Sequence, residues 1–411
     1  MDTLKVRDAK DVEEVVRAAV AGEQPLEVIG HGSKRAIGHP MATNALLDVS
    51  ALNAVSSYEP NELIISVQAG APLADVQSLI DAKNQQFAFE PMDTSVLLGT
   101  AGAGTIGGMI GAGLAGPRRI KAGGIRDHLL GAHAVSGFGD SFKTGGRVVK
   151  NVTGYDLCKL LAGSWGTLAV MTEVTLKVMP KPEAERTLVL RGLDDATANK
   201  AMTAALGSPF DVSGAAHLPG SALRSGGGAL AGLAAGQPVT LVRLEGISAS
   251  AAHRAASLSQ TLSAYGTVDS LADDASAAIW SALRDVAPFA ANGALGAWPV
   301  WRIVCPPASG GALGQALSRA TGGDVIYDWG GGLIWAAVPP GADAQATLVR
   351  GQVEAIGGHA TLIRATEDVR RAVDVFQPQA AGLAALGERV RASFDPRSVL
   401  NRGRMMRGGA A

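Results

Sequence analysis

Residues 99–119 read GTAGAGTIGGMIGAGLAGPRR, a segment in which eight of the eighteen residues from 99 to 116 are glycine. Glycine has no Cβ, so the backbone of such a segment can approach another group closely. A helix N-terminus that follows a turn offers backbone amides and partial positive charge to an anion. The sequence therefore predicts a nucleotide-binding turn that contains Gly102, Gly104, Thr105, Gly107 and Gly108.

The helix after this turn is expected to begin near Thr105 and to end at Pro117, because proline cannot continue a helix. Three other interpretations of the stretch remain open. Residues 94–116 carry no charge and include a GxxxG pattern, as in membrane spans, although so many glycines make them only weakly hydrophobic. Residues 102–107 spell GxGxxG, the fingerprint of a Rossmann unit, but no full strand precedes them. The third alternative is a flexible loop.

A second anion-binding loop is predicted earlier in the chain. The apolar run Leu26–Ile29 has the length and composition of a short buried strand. The sequence GHGSKRAIG follows it directly at residues 30–38. The backbone amides, the Ser33 hydroxyl and the Lys34 ammonium of this loop are expected to converge on the same diphosphate as the later turn. The alternative is a solvated loop between a strand and a helix.

Three further motifs follow in close order. They are VKNVTGYDL at residues 149–157, GSWGTL at 163–168 and TEVTL at 172–176. Their order predicts a tight turn, a short helix, a glycine turn and a long strand, with Gly154, Gly163 and Gly166 at the bends. This series resembles the FAD-binding domain of the vanillyl-alcohol oxidase flavoprotein family, which is also called the PCMH-type family. More narrowly, it is similar to the FAD-binding subunits of glycolate oxidase complexes.

The resemblance implies that FAD is the cofactor and that both glycine-rich loops hold it. Some relatives attach the flavin to a histidine that follows a Gly-Gly pair, a position closer to Ser33 than to His31 in this chain, so non-covalent binding is expected. The residues expected to contact FAD are Gly30, His31, Gly32, Ser33, Lys34, Gly99, Gly104, Thr105, Gly107, Gly108, Gly154, Tyr155, Gly163, Gly166, Thr167, Val170 and Asn401.

Composition excludes several classes of protein. The 411 residues include 36 basic and 37 acidic side chains, a balance that favours neither nucleic acid nor an anionic membrane as a partner. The two cysteines, Cys158 and Cys305, offer no disulfide framework and no metal-ligand spacing. The N-terminus is charged and amphipathic, unlike a signal peptide. We expect a cytoplasmic protein without a membrane span or a metal site, associated with membranes only through partners.

The resemblance and the alternation of strands and helices predict an α+β fold. Residues 1–182 are expected to form a PCMH-type FAD-binding domain of two α/β subdomains, with a helix that has Pro72 at its first position. Residues 183–368 are expected to form a cap domain built on an antiparallel sheet. Residues 369–411 are expected to return to the FAD domain. In that tail, Asn401 and Arg404 are candidate flavin neighbours or a clamp on the fold, and Arg402 stands where relatives have proline.

The resemblance implies a function as an FAD-binding subunit of a glycolate oxidase complex that converts glycolate to glyoxylate. Its expected partners are a larger flavoprotein subunit and an iron–sulfur subunit. The alternatives are a self-sufficient FAD-dependent 2-hydroxy-acid dehydrogenase and a scaffold without catalytic function. The best candidate to anchor a substrate carboxylate is Arg302, which is otherwise expected to stack on Trp301 or Trp298. The sequence identifies no catalytic base.

Overall fold

The computed structural model describes residues 2–147, 154–225, 227–233 and 236–406. The strands are β1 (Asp2–Lys5), β2 (Leu26–Ile29), β3 (Ala45–Asp48), β4 (Val55–Glu59), β5 (Ile64–Gln68), β6 (Gln85–Gln86), β7 (Leu129–Ser136), β8 (Ser141–Gly145), β9 (Ala169–Lys177), β10 (Met179–Pro180), β11 (Ala184–Arg191), β12 (Val212–Leu218), β13 (Val239–Gly246), β14 (Val268–Ala272), β15 (Val300–Val304), β16 (Asp324–Asp328), β17 (Leu333–Ala337) and β18 (His359–Arg364). The helices are α1 (Ala9–Ala21), α2 (Leu73–Asp81), α3 (Thr94–Leu98), α4 (Ile106–Ala112), α5 (Arg119–Ala122), α6 (Ile125–His128), α7 (Cys158–Leu161), α8 (Asp195–Leu206), α9 (Gly220–Ser225), α10 (Ser248–Leu262), α11 (Asp273–Arg284), α12 (Gly310–Thr321), α13 (Ala346–Glu354), α14 (Glu367–Ala372) and α15 (Ala381–Phe394).

The N-terminal segment forms a small α/β unit. Strands β1, β3 and β2 make a three-stranded parallel sheet in that order. Helix α1 begins where the Asp8 carboxylate accepts a hydrogen bond from the Asp11 amide at 2.9 Å, a standard N-terminal cap. Its buried residues Val12, Val16 and Ala19 recur at helical spacing and share one apolar core with the sheet.

The second unit is a five-stranded antiparallel sheet in the order β4-β5-β9-β7-β8. The long β9 lies at its centre, as the apolar run before residue 178 predicts, and α7 forms in the predicted short helical segment. Buried residues of α2 and α4, among them Val76 and Ile110, pack into one core with the sheet residues Val67 and Val174. This core holds the glycine-rich segment against the sheet.

The cap region contains an eight-stranded antiparallel sheet in the order β14-β11-β13-β12-β16-β17-β15-β18. Side chains alternate between its two faces, as strand geometry requires. Trp301 and Ile303 lie in the core formed with α8, α12 and α13. Trp335 and Leu333 lie in a second core that also contains Leu97 of α3 from the N-terminal half. The second face of the cap sheet therefore packs on the N-terminal half of the chain, and the predicted α+β architecture is confirmed.

A buried charge cluster joins the two halves of the chain. The Arg243 guanidinium of β13 donates to the Glu90 carboxylate at 2.8 and 3.0 Å. Arg118 donates to the Glu245 carboxylate at 2.9 and 2.6 Å. Glu90 and Arg118 precede the cap whereas Arg243 and Glu245 belong to it, so the cluster fixes the cap on the N-terminal half.

The chain returns to the N-terminal unit after α15. The Leu26 amide of β2 donates to the Val399 carbonyl at 2.7 Å, and the Asn401 amide donates to the Leu26 carbonyl at 2.9 Å. The buried Asp395 carboxylate accepts the amides of Val399 and Leu400 at 3.0 and 2.8 Å. The two bonds of Leu26 join the tail to β2 at the edge of the parallel sheet, and the two bonds of Asp395 fix the turn of the tail that leads there.

Two helix boundaries differ from the sequence prediction. Helix α4 ends at Gly113 rather than at Pro117, because Gly113 adopts φ +65 and its amide caps the helix on the Met109 carbonyl. Pro72 caps α2 instead of occupying its first turn. The Val149–Thr153 part of the family motif lies outside the described residues. Among the described residues, no helix is both long and apolar enough to cross a membrane.

Candidate cofactor site

A cleft opens where the parallel sheet, α4 and the C-terminal segment meet, and it encloses about 720 Å³ continuous with solvent. We call it the loop cleft. The predicted site residues that line it are Gly30, His31, Gly32, Ser33, Lys34, Thr105, Gly107, Gly108, Gly166 and Asn401. The structure therefore brings the two glycine-rich loops to one place.

The first loop, residues 30–34, follows β2 at the carboxyl edge of the parallel sheet. Ser33 and Lys34 are buried, whereas His31 is exposed. Within the described part of the chain, the backbone amides of residues 31–34 donate to no protein acceptor. Consecutive unpaired amides are typical of an anion-binding loop.

Lys34 supplies positive charge to this loop. Its ammonium donates to the Ala103 carbonyl at 2.9 Å and to the Ser33 hydroxyl at 3.3 Å, and both acceptors are neutral. Burial, with a smaller contribution from the charge of Arg404, lowers the pKa of Lys34 to about 8, although the charge of Asp93 acts in the opposite direction. An anion beside this ammonium would stabilise its protonated form.

Arg404 adds a second buried cation to the wall of the loop cleft. Its Nη2 donates to the Lys34 carbonyl at 2.7 Å, and its guanidinium stacks 5.4 Å from the ring centre of Trp165. Burial lowers the pKa of Arg404 to about 10. Among the described residues, its buried Nε has no hydrogen-bond partner. An unpaired buried N–H costs free energy, so an acceptor bound beside this atom would stabilise the structure.

The second loop contributes less through its helix amides than the sequence predicts. The Thr105 hydroxyl caps α4 by accepting the Gly108 amide at 3.2 Å. The Gly107 amide donates to the Ala69 carbonyl at 2.7 Å, and the Ile106 amide donates to the Ala71 carbonyl at 3.0 Å. The first amides of α4 are thus used inside the protein, so the first loop offers more unpaired amides to an anion than α4 does.

Glycine is needed at two points where the loops touch. A Cβ on Gly30 would lie 2.6 Å from the Thr105 hydroxyl oxygen. A Cβ on Gly104, which has φ +90, would overlap the Ser33 hydroxyl. Gly104 therefore belongs to the loop contact although it does not line the cleft.

Asn401 acts as a clamp through its side chain. Its Oδ1 accepts the Val28 amide at 2.8 Å, and its Nδ2 donates to the Trp165 carbonyl at 2.7 Å. Both polar atoms of the amide are therefore bound within the protein, while the residue also lines the cleft.

Several predicted site residues lie outside the lining of the loop cleft. Gly99 caps α3, and Val170 is buried in the core of the first unit. Gly163 and Thr167 line a separate groove beside α15. Gly154 is exposed, and Tyr155 is 91% exposed.

Sequence analysis missed Trp165 as a wall of the cleft. Trp165 has φ +54 and the following Gly166 has φ +69, and both residues line the cleft. The GSWGTL motif contained this tryptophan between two turn glycines, but its local sequence does not show that the side chain lines a cleft. Ala69 and Met171 complete the apolar part of the wall.

Arg302 lies on the cap-sheet face that packs toward the N-terminal half. It stacks on Trp329 at 5.1 Å rather than on Trp301 or Trp298, and Arg119 stacks on Trp329 at 4.4 Å. Burial lowers the pKa of Arg302 to about 10, and Arg119 adds repulsion. Burial also raises the pKa of the nearby Asp328 to about 7. Among the described residues, no three His, Cys, Asp or Glu side chains are grouped as metal ligands.

Two family models match the chain. Residues 3–145 match a model described as an FAD binding domain, and residues 183–318 match the C-terminal domain of FAD linked oxidases. The first model covers both loops of the loop cleft. The residues of the cleft also fit FAD, because the Lys34 ammonium, the unpaired amides of residues 31–34 and the cationic Arg404 side chain are suited to a diphosphate.

The chain is similar in part to two glycolate oxidase subunits. Over 175 residues it is 38% identical to Glycolate oxidase subunit GlcE of Escherichia coli (strain K12), a match that covers 43% of this chain and 48% of that protein. Over 184 residues it is 29% identical to Glycolate oxidase subunit GlcD of Bacillus subtilis (strain 168), with 44% of this chain and 38% of that protein covered. The matches therefore span about half or less of these relatives.

A solved structure of p-cresol methylhydroxylase with substrate bound has the same fold. Its TM-score to this chain is 0.70 at 13% identity, and the match covers 99% of this chain and 88% of that one. At this identity the likeness concerns the fold alone. It includes both the N-terminal half and the cap sheet.

Proposed function

The chain belongs to the PCMH-type family of FAD-linked oxidoreductases, and from this premise we propose that it is the FAD-binding subunit of a glycolate oxidase complex. In this proposal, the complex oxidises glycolate to glyoxylate, and a larger flavoprotein subunit and an iron–sulfur subunit are its other components. The chain binds FAD without a covalent bond and takes part mainly in electron transfer. The proposal also places the complex in the cytoplasm, with any membrane contact made through partners.

The observation that carries the proposal is the pair of buried cations beside the unpaired amides of residues 31–34. Lys34 and Arg404 have neutral hydrogen-bond acceptors, so their charges are available to a diphosphate. When bound, FAD supplies a ring that accepts a hydride or electrons. The 38% identity to a glycolate oxidase subunit supports the choice of glycolate among 2-hydroxy acids.

The chain's own residues have separate roles in this proposal. The first loop binds the diphosphate, and Gly30 and Gly104 allow the two loops to meet. Asn401 fixes Trp165 and β2 around the cleft. The remaining candidates, Gly99, Gly154, Tyr155, Gly163, Thr167 and Val170, stay proposals, as do the domain boundaries 1–182, 183–368 and 369–411.

Reconstitution of the complex tests this function. The chain is co-expressed with the GlcD-like flavoprotein subunit and the iron–sulfur subunit of its own genome, and glycolate oxidation is followed with an artificial electron acceptor. Omission of the chain should abolish stable assembly and turnover. Full glycolate turnover by the other two subunits alone would overturn the proposal.

A second function, a self-sufficient 2-hydroxy-acid dehydrogenase, is favoured by one observation. Among the described residues, Arg302 faces the N-terminal half and forms no ion pair, so it is available to a substrate carboxylate. Arg302→Ala separates the two functions. The subunit function predicts nearly intact turnover in the assembled complex, whereas a collapse of turnover in an intact complex would favour the dehydrogenase.

A further inference from the structure

The first loop of the loop cleft continues into a short segment that packs against the cap region. This segment, residues 35–39, follows Lys34 directly, and we call it the loop exit. Ile37 in the loop exit is 0% exposed and lies in the same core as Trp335 of β17. Its amide donates to the Lys34 carbonyl at 3.1 Å, which closes a hydrogen-bonded turn. The loop exit therefore connects the cap sheet to the residue that supplies positive charge to the loop cleft.

Arg370 of α14 is bonded to the loop exit. Its Nη1 donates to the Gly38 carbonyl at 2.8 Å, and the residue is only 8% exposed. Gly38 has φ +94, and a Cβ there would lie 2.8 Å from Cγ of Arg404, so this position requires glycine. The His39 amide donates to the Arg404 carbonyl at 2.9 Å. The peptide group between Gly38 and His39 is thus held at its carbonyl by Arg370 and at its amide by Arg404.

The His39 side chain makes a second connection between the loop exit and the segment around α14. Its Nδ1 lies 2.9 Å from the Arg370 carbonyl, and the Val375 amide donates to its Nε2 at 3.4 Å. Because a carbonyl can only accept, Nδ1 carries a proton, and because an amide N–H donates, Nε2 does not. Arg370 is therefore joined to the loop exit through its side chain and also through its backbone.

Helix α14 is itself anchored in the cap region. Val369, Val373 and Val375 lie in the core formed with α8, α12 and α13. The Val375 carbonyl accepts the amide of Leu362 in β18 at 2.8 Å, which attaches the segment to the edge of the cap sheet. The packing of the cap region therefore determines where Arg370 lies.

We propose that Arg370 is a positioning residue for FAD binding, which holds the loop exit so that Lys34 and the amides of residues 31–34 meet the diphosphate. This inference rests on the proposed function, in which the first loop binds that diphosphate. Gly38 is only four residues after Lys34 and is connected to it through one turn, so a shift of Gly38 also moves Lys34. Two sites that share such a segment are coupled in both directions. FAD should therefore stabilise the packing of α14, and the packing of α14 should raise the affinity for FAD.

A series of substitutions on α14 tests the proposal. Arg370→Met removes the bond to Gly38 and keeps an apolar chain, whereas Arg370→Lys retains a cationic donor. Arg371→Met is the matched control, because Arg371 lies on the same helix and its exposed side chain pairs with Glu367. Fluorescence titration of each apoprotein with FAD measures the dissociation constant. That constant should rise by about fivefold or more in Arg370→Met, rise less in Arg370→Lys and stay at the wild-type value in Arg371→Met.

The melting temperature of each apoprotein separates positioning from fold stability. A contact that only stabilises the fold would lower the melting temperature of Arg370→Met without changing the FAD affinity of the folded protein, so the titrations are made well below all melting temperatures. Equal FAD affinity of wild type and Arg370→Met would overturn the positioning role and leave the proposed function intact. Failure of the wild-type chain itself to bind FAD would overturn both.

Hydrogen exchange in the wild-type chain gives a measurement that does not depend on any variant folding. FAD should slow the exchange of backbone amides in residues 369–375 as well as in residues 31–39. Helix α10 is the internal reference, because it packs on β11 and β13, away from the β18 edge of the cap sheet, and its exchange should stay unchanged. Protection that is confined to residues 31–39, or that is equal in α10 and α14, would overturn the coupling.

Discussion

The ammonium of Lys34 lies 2.9 Å from the carbonyl oxygen of Ala103, so a hydrogen bond joins two glycine-rich loops that are 69 residues apart in the chain. The acceptor is neutral, and the positive charge of Lys34 therefore remains available to an anion. This bond holds the two loops together, and in the proposed function the ammonium of Lys34 also attracts the diphosphate. The first predictions concern this residue.

Replacement of Lys34 by methionine should weaken FAD binding. Hydrogen bonds to a charged group contribute about 1.5–3 kcal/mol, so the dissociation constant should rise by about tenfold to a hundredfold. Fluorescence titration of the apoprotein with FAD measures this change. Lys83→Met is the control, since Lys83 is exposed and does not line the cleft. An FAD affinity equal to that of wild type would show that Lys34 does not contribute to FAD binding.

FAD affinity should depend on pH through the same residue. Burial holds the pKa of Lys34 at about 8 in the free protein, and a bound diphosphate should raise that pKa. The favourable contact is thus fully present below pH 8 and is lost as the pH rises through the pKa of the complex. Dissociation constants measured from about pH 7 to about pH 9.5 should increase in wild type but not in Lys34→Met. The same slope in both proteins would contradict this assignment.

The charge cluster between the two halves should be a major contributor to stability. Arg243→Met leaves the carboxylates of Glu90, Glu185 and Glu245 with Arg118 as the remaining cation of the cluster. Removal of one partner from a buried ion pair costs about 3–5 kcal/mol in the free energy of unfolding. Urea denaturation should show this loss.

The control for the cluster is Arg186→Met, which removes an ion pair with the exposed Asp273. Such a pair contributes about 1 kcal/mol or less. If the two variants lose similar stability, the buried cluster has no special role in joining the cap.

Asp328 should reduce stability at neutral and higher pH. Burial raises its pKa to about 7 in the folded protein, above its ordinary value of 3.8. The folded state therefore binds the proton more tightly, and stability falls as the pH rises between these two values. Asp328→Asn keeps an acceptor for the Trp329 amide and should gain on the order of 2 kcal/mol at pH 8. The gain should disappear near pH 4, and a loss of stability at pH 8 would contradict the account.

Local sequence signals were sufficient to predict that the first loop follows β2 and that α4 starts at Thr105, whereas anion binding by the first loop stays a prediction. Residues 30–34 follow an apolar strand directly, and glycine, serine and lysine in that order carry the chemistry of an anion site. Thr105 has the side chain of a helix cap and performs that role. The family resemblance supplied FAD and the antiparallel cap sheet, and both are confirmed.

Other parts of the site depend on contacts that no local pattern contains. The Gly107 amide donates a hydrogen bond to the Ala69 carbonyl. The sequence of the glycine turn does not show that its amides are bonded within the protein. Arg404 reaches Lys34 across 370 residues of sequence. The pairing of Arg118 with Glu245 likewise requires the cap to be in place. Such long-range pairs follow from the packing of whole units rather than from the residues beside them.

The visible absorption spectrum of the purified chain, recorded without oxygen before and after addition of glycolate, tests the central claim most directly. The account predicts flavin bands that disappear from the protein after acid precipitation, because FAD is not covalently bound. It also predicts that glycolate leaves these bands unbleached in the isolated chain and bleaches them in the assembled complex. Absence of flavin bands, or rapid bleaching of the isolated chain by glycolate, would contradict the account.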